Sequence, residues 1–250
     1  MLQPQSLSGI TPGASANART SGSAPQITEA KPNPSGAPYG RFAELHSCEL
    51  YTGGCTASSE ATLEGRYMLR VWKFEGGQFT GTPLAGLTVA LMEKGDENLA
   101  MQEHAAHQAL AYLPQGAAPV QREALISWLR TQTPASLNPA TDVREVPLNA
   151  FISEGNVQVS AGKDIAFSSH LAQECNGTAS CGERLWYEPR NANSANFMVE
   201  QLISARVAEP ALSLSWSDQG RRSLFTGQFG PMEGRAPAFC GKGPGMYSKL

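Results

Sequence analysis

No apolar run in these 250 residues approaches the ~18 residues of a membrane-crossing helix, so no helical span is expected. Charge of one sign is also missing. Lys and Arg number 19 against 22 Asp and Glu, a net charge of −3, with an isoelectric point near 5.8. Nucleic acid and anionic membrane surfaces select a basic footprint, and the only local concentration is the Arg221-Arg222 pair beside Gly220, which reads as a solvated turn. Charged residues make up only 16% of the chain, too few for a polyelectrolyte tail or a coiled coil. The opening MLQPQSLSGITPG has neither a basic stretch nor an apolar segment of ~7–15 residues, so no standard export signal is visible.

Complete catalytic motifs are absent as well. There is no G-x-S-x-G, which removes the nucleophile elbow. In EHAAH the glutamate precedes His104 and His107 instead of following the first histidine, so the zincin base is misplaced and a solvated helix face is expected. The stretch from Gly234 to Lys242 has Ala236 at the first P-loop glycine and Gly243 where Ser or Thr must hold magnesium, which discards it.

What the chain does have is punctuation and alternation. Residues 1–38 contain six Pro, four Gly and six Ser with only Arg19, Glu29 and Lys31 charged, the composition of a disordered leader. Residues 231–250 form a Gly/Pro-rich tail carrying Cys240. Between them, 39–230 reads as a single β-rich domain. LTVALM from Leu87 suits a strand buried on both faces. NVQVSA and DIAFSS alternate around a tight Ala161-Gly162-Lys163 turn, and a second hairpin is expected with its turn at Glu75-Gly76-Gly77. Phe197 and Val199 mark another strand, Leu212, Leu214 and Trp216 the next, and LFTGQF the last. One helix is predicted from Pro119 to Arg130, where proline fits the first turn and Val120, Ala124, Leu125, Trp128 and Leu129 share a face before Pro134 ends it. A second helical stretch is expected from Glu97 to His107. The fold class is α+β: mainly antiparallel sheet, sandwich- or barrel-like, with one amphipathic helix.

Chemistry concentrates on cysteine. Cys48 and Cys55 form one close pair and Cys175 and Cys181 another, with His46 just before the first and His170 before the second. Two short disulfide loops are the leading expectation. Each would stabilise by about 2–3 kcal/mol on the chain-entropy estimate, and Gly53-Gly54 and Gly177 supply the backbone freedom that tight rings need. The alternative gathers Cys48, Cys55, Cys175 and Cys181, with His46 or His170, around zinc or copper, although the spacings are wider than those of zinc knuckles. Cys240 is then left over as a free thiol, a place for a partner or a small buried hydrophobe.

The order of CELYTGGC, LEGRYMLRVWKFEGG, LAGLTVAL, APVQREALISWL, CNGTASCGERLWYEP and GQF resembles that of the bacterial family known as domain of unknown function 1326, over about Phe42 to Gly230. The resemblance implies a bacterial and often exported protein, which favours the disulfides, and brings no activity and no catalytic residues. The long Pro/Ser leader and the missing export signal depart from it.

The expected function is therefore a non-catalytic extracytoplasmic binding or accessory domain, periplasmic or secreted and stapled by two disulfides, with no cofactor. A protein partner or larger assembly would be reached through the leader. A zinc- or copper-binding protein is the second reading, and a hydrolase with scattered site residues the third.

Overall fold

The computed structural model describes residues 36–52, 65–99, 108–133, 137, 142–172, 184–185, 190 and 194–231, with the backbone alone for 51–52, 184–185 and 194–196. In chain order the strands are β1 (Tyr39–His46), β2 (Tyr51–Thr52), β3 (Tyr67–Gly76), β4 (Gln78–Phe79), β5 (Thr82–Pro83), β6 (Thr88–Lys94) and β7 (Gln108–Pro114). Helix α1 (Pro119–Gln132) leads to β8 (Asp142–Val146), β9 (Leu148–Ser153), β10 (Asn156–Ala161), β11 (Ile165–Leu171), β12 (Arg184–Leu185) and β13 (Ser194–Glu209). A 3₁₀ turn, β14 (Leu214–Asp218) and β15 (Leu224–Phe229) finish the described chain.

One eleven-stranded sheet dominates, in the order β8-β7-β6-β3-β1-β15-β13-β11-β10-β9, with β14 added to β13. Every pairing in it is antiparallel except β7 with β8. That exception is forced, because a parallel neighbour needs a crossover, and α1 supplies it between β7 and β8. The sheet rolls up on itself. Its two terminal strands, β8 and β9, are separated in sequence by Pro147 alone, which has no N–H to continue a ladder and turns the corner. On either side of that corner, Val146 O accepts from Gln115 N (2.8 Å) and Pro147 O from Gly162 N (2.9 Å), tying both ends of the roll together.

Rolling gives the strands two buried faces. Inside lie Leu45, Val71, Met92 and Leu110 from one half of the roll, against Val157, Phe167 and Val207 from the other. Outside, α1 lays Leu125, Trp128 and Leu129 over Phe42, Trp72 and Phe225, the opposite-parity side chains of the same central strands. This explains why LTVALM is continuously apolar, since β6 is sandwiched between the two clusters. The helix appears where it is expected, with Ala124, Leu125, Trp128 and Leu129 buried, but Val120, in the first turn, is 57% exposed.

Three local expectations change. The Gly76-Gly77 step is not a turn: Gly76 still pairs with Tyr39, and a Cβ there would collide with the Tyr39 ring. Gly77, at φ 84°, is required where the backbone of Ala37 passes. The reversal falls instead at Thr80 (φ 47°) and Gly81 (φ 81°), both left-handed, as a two-residue primed turn between β4 and β5 demands. Leu212 lies in the 3₁₀ turn, since Ser213 at φ 49° breaks the alternation before β14 starts. Glu97–Leu99 are not helical, Glu97 being a bend and Leu99 a turn residue, and the rest of that helical candidate, His104 and His107 included, lies outside the described residues.

The closing contact of the roll is polar. Tyr112 on β7 donates its hydroxyl to Glu209 Oε2 on β13 (2.7 Å), and Arg144 on β8 donates to Glu209 Oε1 at 2.7 Å. Burial, followed by the hydrogen bond to Glu209 and that carboxylate's charge, holds the Tyr112 phenol protonated well above its ordinary range. The unfolded chain releases that proton above about pH 10 while the fold retains it. The linked stability is therefore complete below pH 10 and is lost as pH rises through the folded-state value. Denaturant midpoints measured from pH 8 to 11.5 should fall steeply above pH 10 for the wild type. For Tyr112→Phe the fall should be shallower, after a loss of about 1–3 kcal/mol at neutral pH. Parallel curves would show that the phenol is not the alkaline sensor.

Candidate functional site

Of the residues singled out by sequence, His46 and Cys48 lie at the end of β1 and just beyond it, and both are buried. His170, at the end of β11, is exposed and uses Nδ1 on Leu171 O. β1 and β11 are three steps apart in the sheet, about 14 Å between backbones, so the two histidines do not share a site. Cys55, Cys175, Cys181 and Cys240 lie outside the described residues, as do Trp186, Tyr187 and the stretch from Gly234 to Lys242. Among the described residues no group of three or more His, Cys, Asp and Glu is placed to hold a metal. The Arg221-Arg222 turn faces acids of its own chain: Arg222 Nε is 2.9 Å from Glu49 Oε1, and Arg221 Nε is 3.6 Å from Asp218 Oδ1.

Beside His46 stands a polar cluster on the outer sheet face. Glu44, His46, Arg70 and Glu93 occupy the parity that elsewhere carries Phe42, Trp72 and Leu91. His46 Nε2 is 2.8 Å from Glu44 Oε1, and Arg70 Nη2 is 2.5 Å from Glu93 Oε2. The main-chain N–H of Arg190 donates to both Glu44 oxygens at 3.0 Å. Arg70 also lies 5.3 Å from the Trp72 ring centre, and His46 meets Phe225 edge-on at 5.9 Å. Chemically this is an acid–imidazole pair next to an ion pair. Their side chains are at most 4% exposed, however, so the arrangement fastens β1, β3 and β6 and offers no face to a substrate. Glu200 behaves alike: it accepts from Ser169 Oγ (2.5 Å), Thr226 Oγ1 (2.8 Å) and Gly155 N (3.1 Å), latching the β9–β10 turn to the sheet.

An accessible concavity lies at the other end of the outer face. It is an open groove of about 680 Å³ between the β4–β5 hairpin, the last turn of α1, the backbone entering at Gly36 and that leaving at Pro231. Phe79, half-buried, gives it accessible aromatic carbon, backed by the buried rings of Trp128 and Phe229, and Gln78, Thr80, Thr131 and Gln132 give it hydroxyls and amides. Among the described residues, none of those lining it is Asp, Glu, His, Lys, Arg, Ser or Cys. Two of the hydroxyls are already committed to main-chain carbonyls, Thr131 Oγ1 to Trp128 O (2.6 Å) and Thr80 Oγ1 to Phe79 O (2.8 Å). The groove is missed by sequence reading because four separated segments build it, and because Trp128 reads correctly as a core residue. The described lining offers contact chemistry: apolar burial and neutral hydrogen bonds.

No family model matches the chain, and neither a curated protein nor a solved structure matches it.

Proposed function

We propose that this protein is a non-catalytic binding or accessory domain, working outside the cytoplasm, and that it receives an extended, uncharged polypeptide segment in the groove beside Trp128. The observation that carries this is the lining itself. Aromatic carbon with unionised amides and hydroxyls suits a ligand that brings backbone carbonyls and small or proline side chains, whereas a charged ligand would lose hydration with no counter-charge to meet it. Proline in particular loses little entropy on binding, and aromatic grooves accept it through ring contact.

Labelled protein titrated with a blocked, uncharged Ala/Pro decapeptide tests this by amide and indole chemical shifts. Saturable changes confined to Gln78–Gly81, Trp128 and Gln132, lost in Phe79→Ala, are expected. No change up to millimolar peptide defeats the reading. Saturation by a neutral oligosaccharide in place of the peptide defeats it equally, since the ligand class would then be wrong.

A further inference from the structure

The groove beside the β4–β5 hairpin is also where the described chain enters and leaves. Gly36 and Pro231, its outermost described residues, both line that groove. The fold fixes both exits there. Gly36 O accepts from Gln78 N at 2.7 Å, and Gln78 is itself part of the lining. Phe229 pairs with Gly40 in the β1–β15 ladder, and Gly230 follows at φ 94°. A Cβ on Gly230 would lie 2.5 Å from Pro38 O, so the backbone is held close at this point. The chain beyond Pro231 therefore starts at the mouth of the groove.

Residues 232–250 lie outside the described residues, and what bears on the groove is their sequence and their point of departure. Residues 232–235 make a link that reaches at most about 14 Å. Beyond it stands Ala236-Pro237-Ala238-Phe239, which carries no charge, has small and proline side chains, and ends on a ring. The described lining matches that composition. Gln78, Thr80, Thr131 and Gln132 are neutral and polar, and half-buried Phe79 offers an accessible ring. On the other exit, Pro32-Asn33-Pro34-Ser35 is uncharged too, but it joins Gly36 with no link. A residue before proline is biased to extended backbone, which disfavours the reversal needed to double back into the groove.

We propose that residues 236–239 of this same chain are the groove's resident occupant, so that an external segment has to displace them. This rests on the reading of the groove as a site for an uncharged polypeptide. Glu233 and Arg235 fall in the link, where they keep their hydration outside the uncharged lining. A short link holds its segment at an effective concentration on the order of millimolar. That competes with a free peptide of weak affinity without closing the site to it. The tail thus sets the threshold a ligand must pass.

The test uses the full chain, isotope-labelled. Nuclear Overhauser contacts are expected between the Phe239 ring and the side chains of Phe79 and Thr131. They should vanish in Ala238→Asp, which brings a charge to an uncharged lining. The blocked Ala/Pro decapeptide should then bind Ala238→Asp several-fold more tightly than the wild type. Absence of the contacts, with equal peptide affinity in both proteins, overturns the proposal and leaves the groove a peptide site. Contacts from Ile27 in place of Phe239 overturn it in favour of the leader. Contacts seen only between differently labelled copies in a mixed sample overturn it in favour of a second copy. Contacts present while the peptide binds neither protein uphold the tail as occupant, and the external ligand is what fails.

Discussion

Replacing Glu93 by leucine should cost about 3–5 kcal/mol, among the largest single losses the fold can show, because it strands a buried cation. Arg70 is 4% exposed and its guanidinium lies 2.5 Å from Glu93 Oε2. Without the carboxylate, the Trp72 ring at 5.3 Å remains, and a cation–π contact contributes only about 1–2 kcal/mol against a desolvation cost of several. Removing both charges in Arg70→Met/Glu93→Leu should be far milder than the sum of the two single changes, since two apolar side chains of similar volume fit a face already lined by Trp72 and Leu91. Denaturant unfolding of the four proteins gives the coupling directly. A coupling below about 1 kcal/mol would mean that water reaches the pair, and the cluster would then have to be reconsidered as an open site.

That cluster also marks where sequence reasoning stops. The apolar alternation of NVQVSA and DIAFSS, the continuous run of β6 and the capped amphipathic helix were legible because each is a local pattern, and local patterns set element type. Glu44, Arg70 and Glu93 were not, because Arg70 and Glu93 compensate each other across two strands, and Glu44, besides His46 on its own strand, is met by the main-chain N–H of Arg190, far along the chain. A signal did exist: each is a charge at the parity of Phe42, Trp72 or Leu91 within a strand otherwise apolar there. Strand β8, DVREV, presents no buried apolar stripe, four of its five residues being exposed, and the α1 crossover is what makes it the parallel partner of β7. The groove has no local pattern at all. It arises from where the hairpin, the helix end, the segment leading into β1 and the segment leaving β15 meet, a tertiary fact.

Trp128→Ala should cost about 3–5 kcal/mol as an aromatic truncation in a close-packed layer. Trp128 is 4% exposed, and its indole meets Phe74 edge-on at 4.8 Å, Trp72 edge-on at 5.7 Å and Phe229 at 5.3 Å. Deleting it opens a cavity beneath α1 that three flanking rings on rigid strands cannot collapse to fill. Trp128→Phe should recover more than half of the loss by keeping the ring contacts at smaller volume. The same side chain lines the floor of the groove, so the two variants separate its two roles. Where Trp128→Phe folds with near-native stability, its affinity for the neutral peptide should change little, because Trp128 is 4% exposed and only backs Phe79 at the groove. A several-fold drop in Trp128→Phe would show that the peptide reaches past Phe79 to the indole itself. A stability change in Trp128→Ala within error of zero would show that α1 does not pack on the sheet through this face, and the groove described between helix and hairpin would go with it.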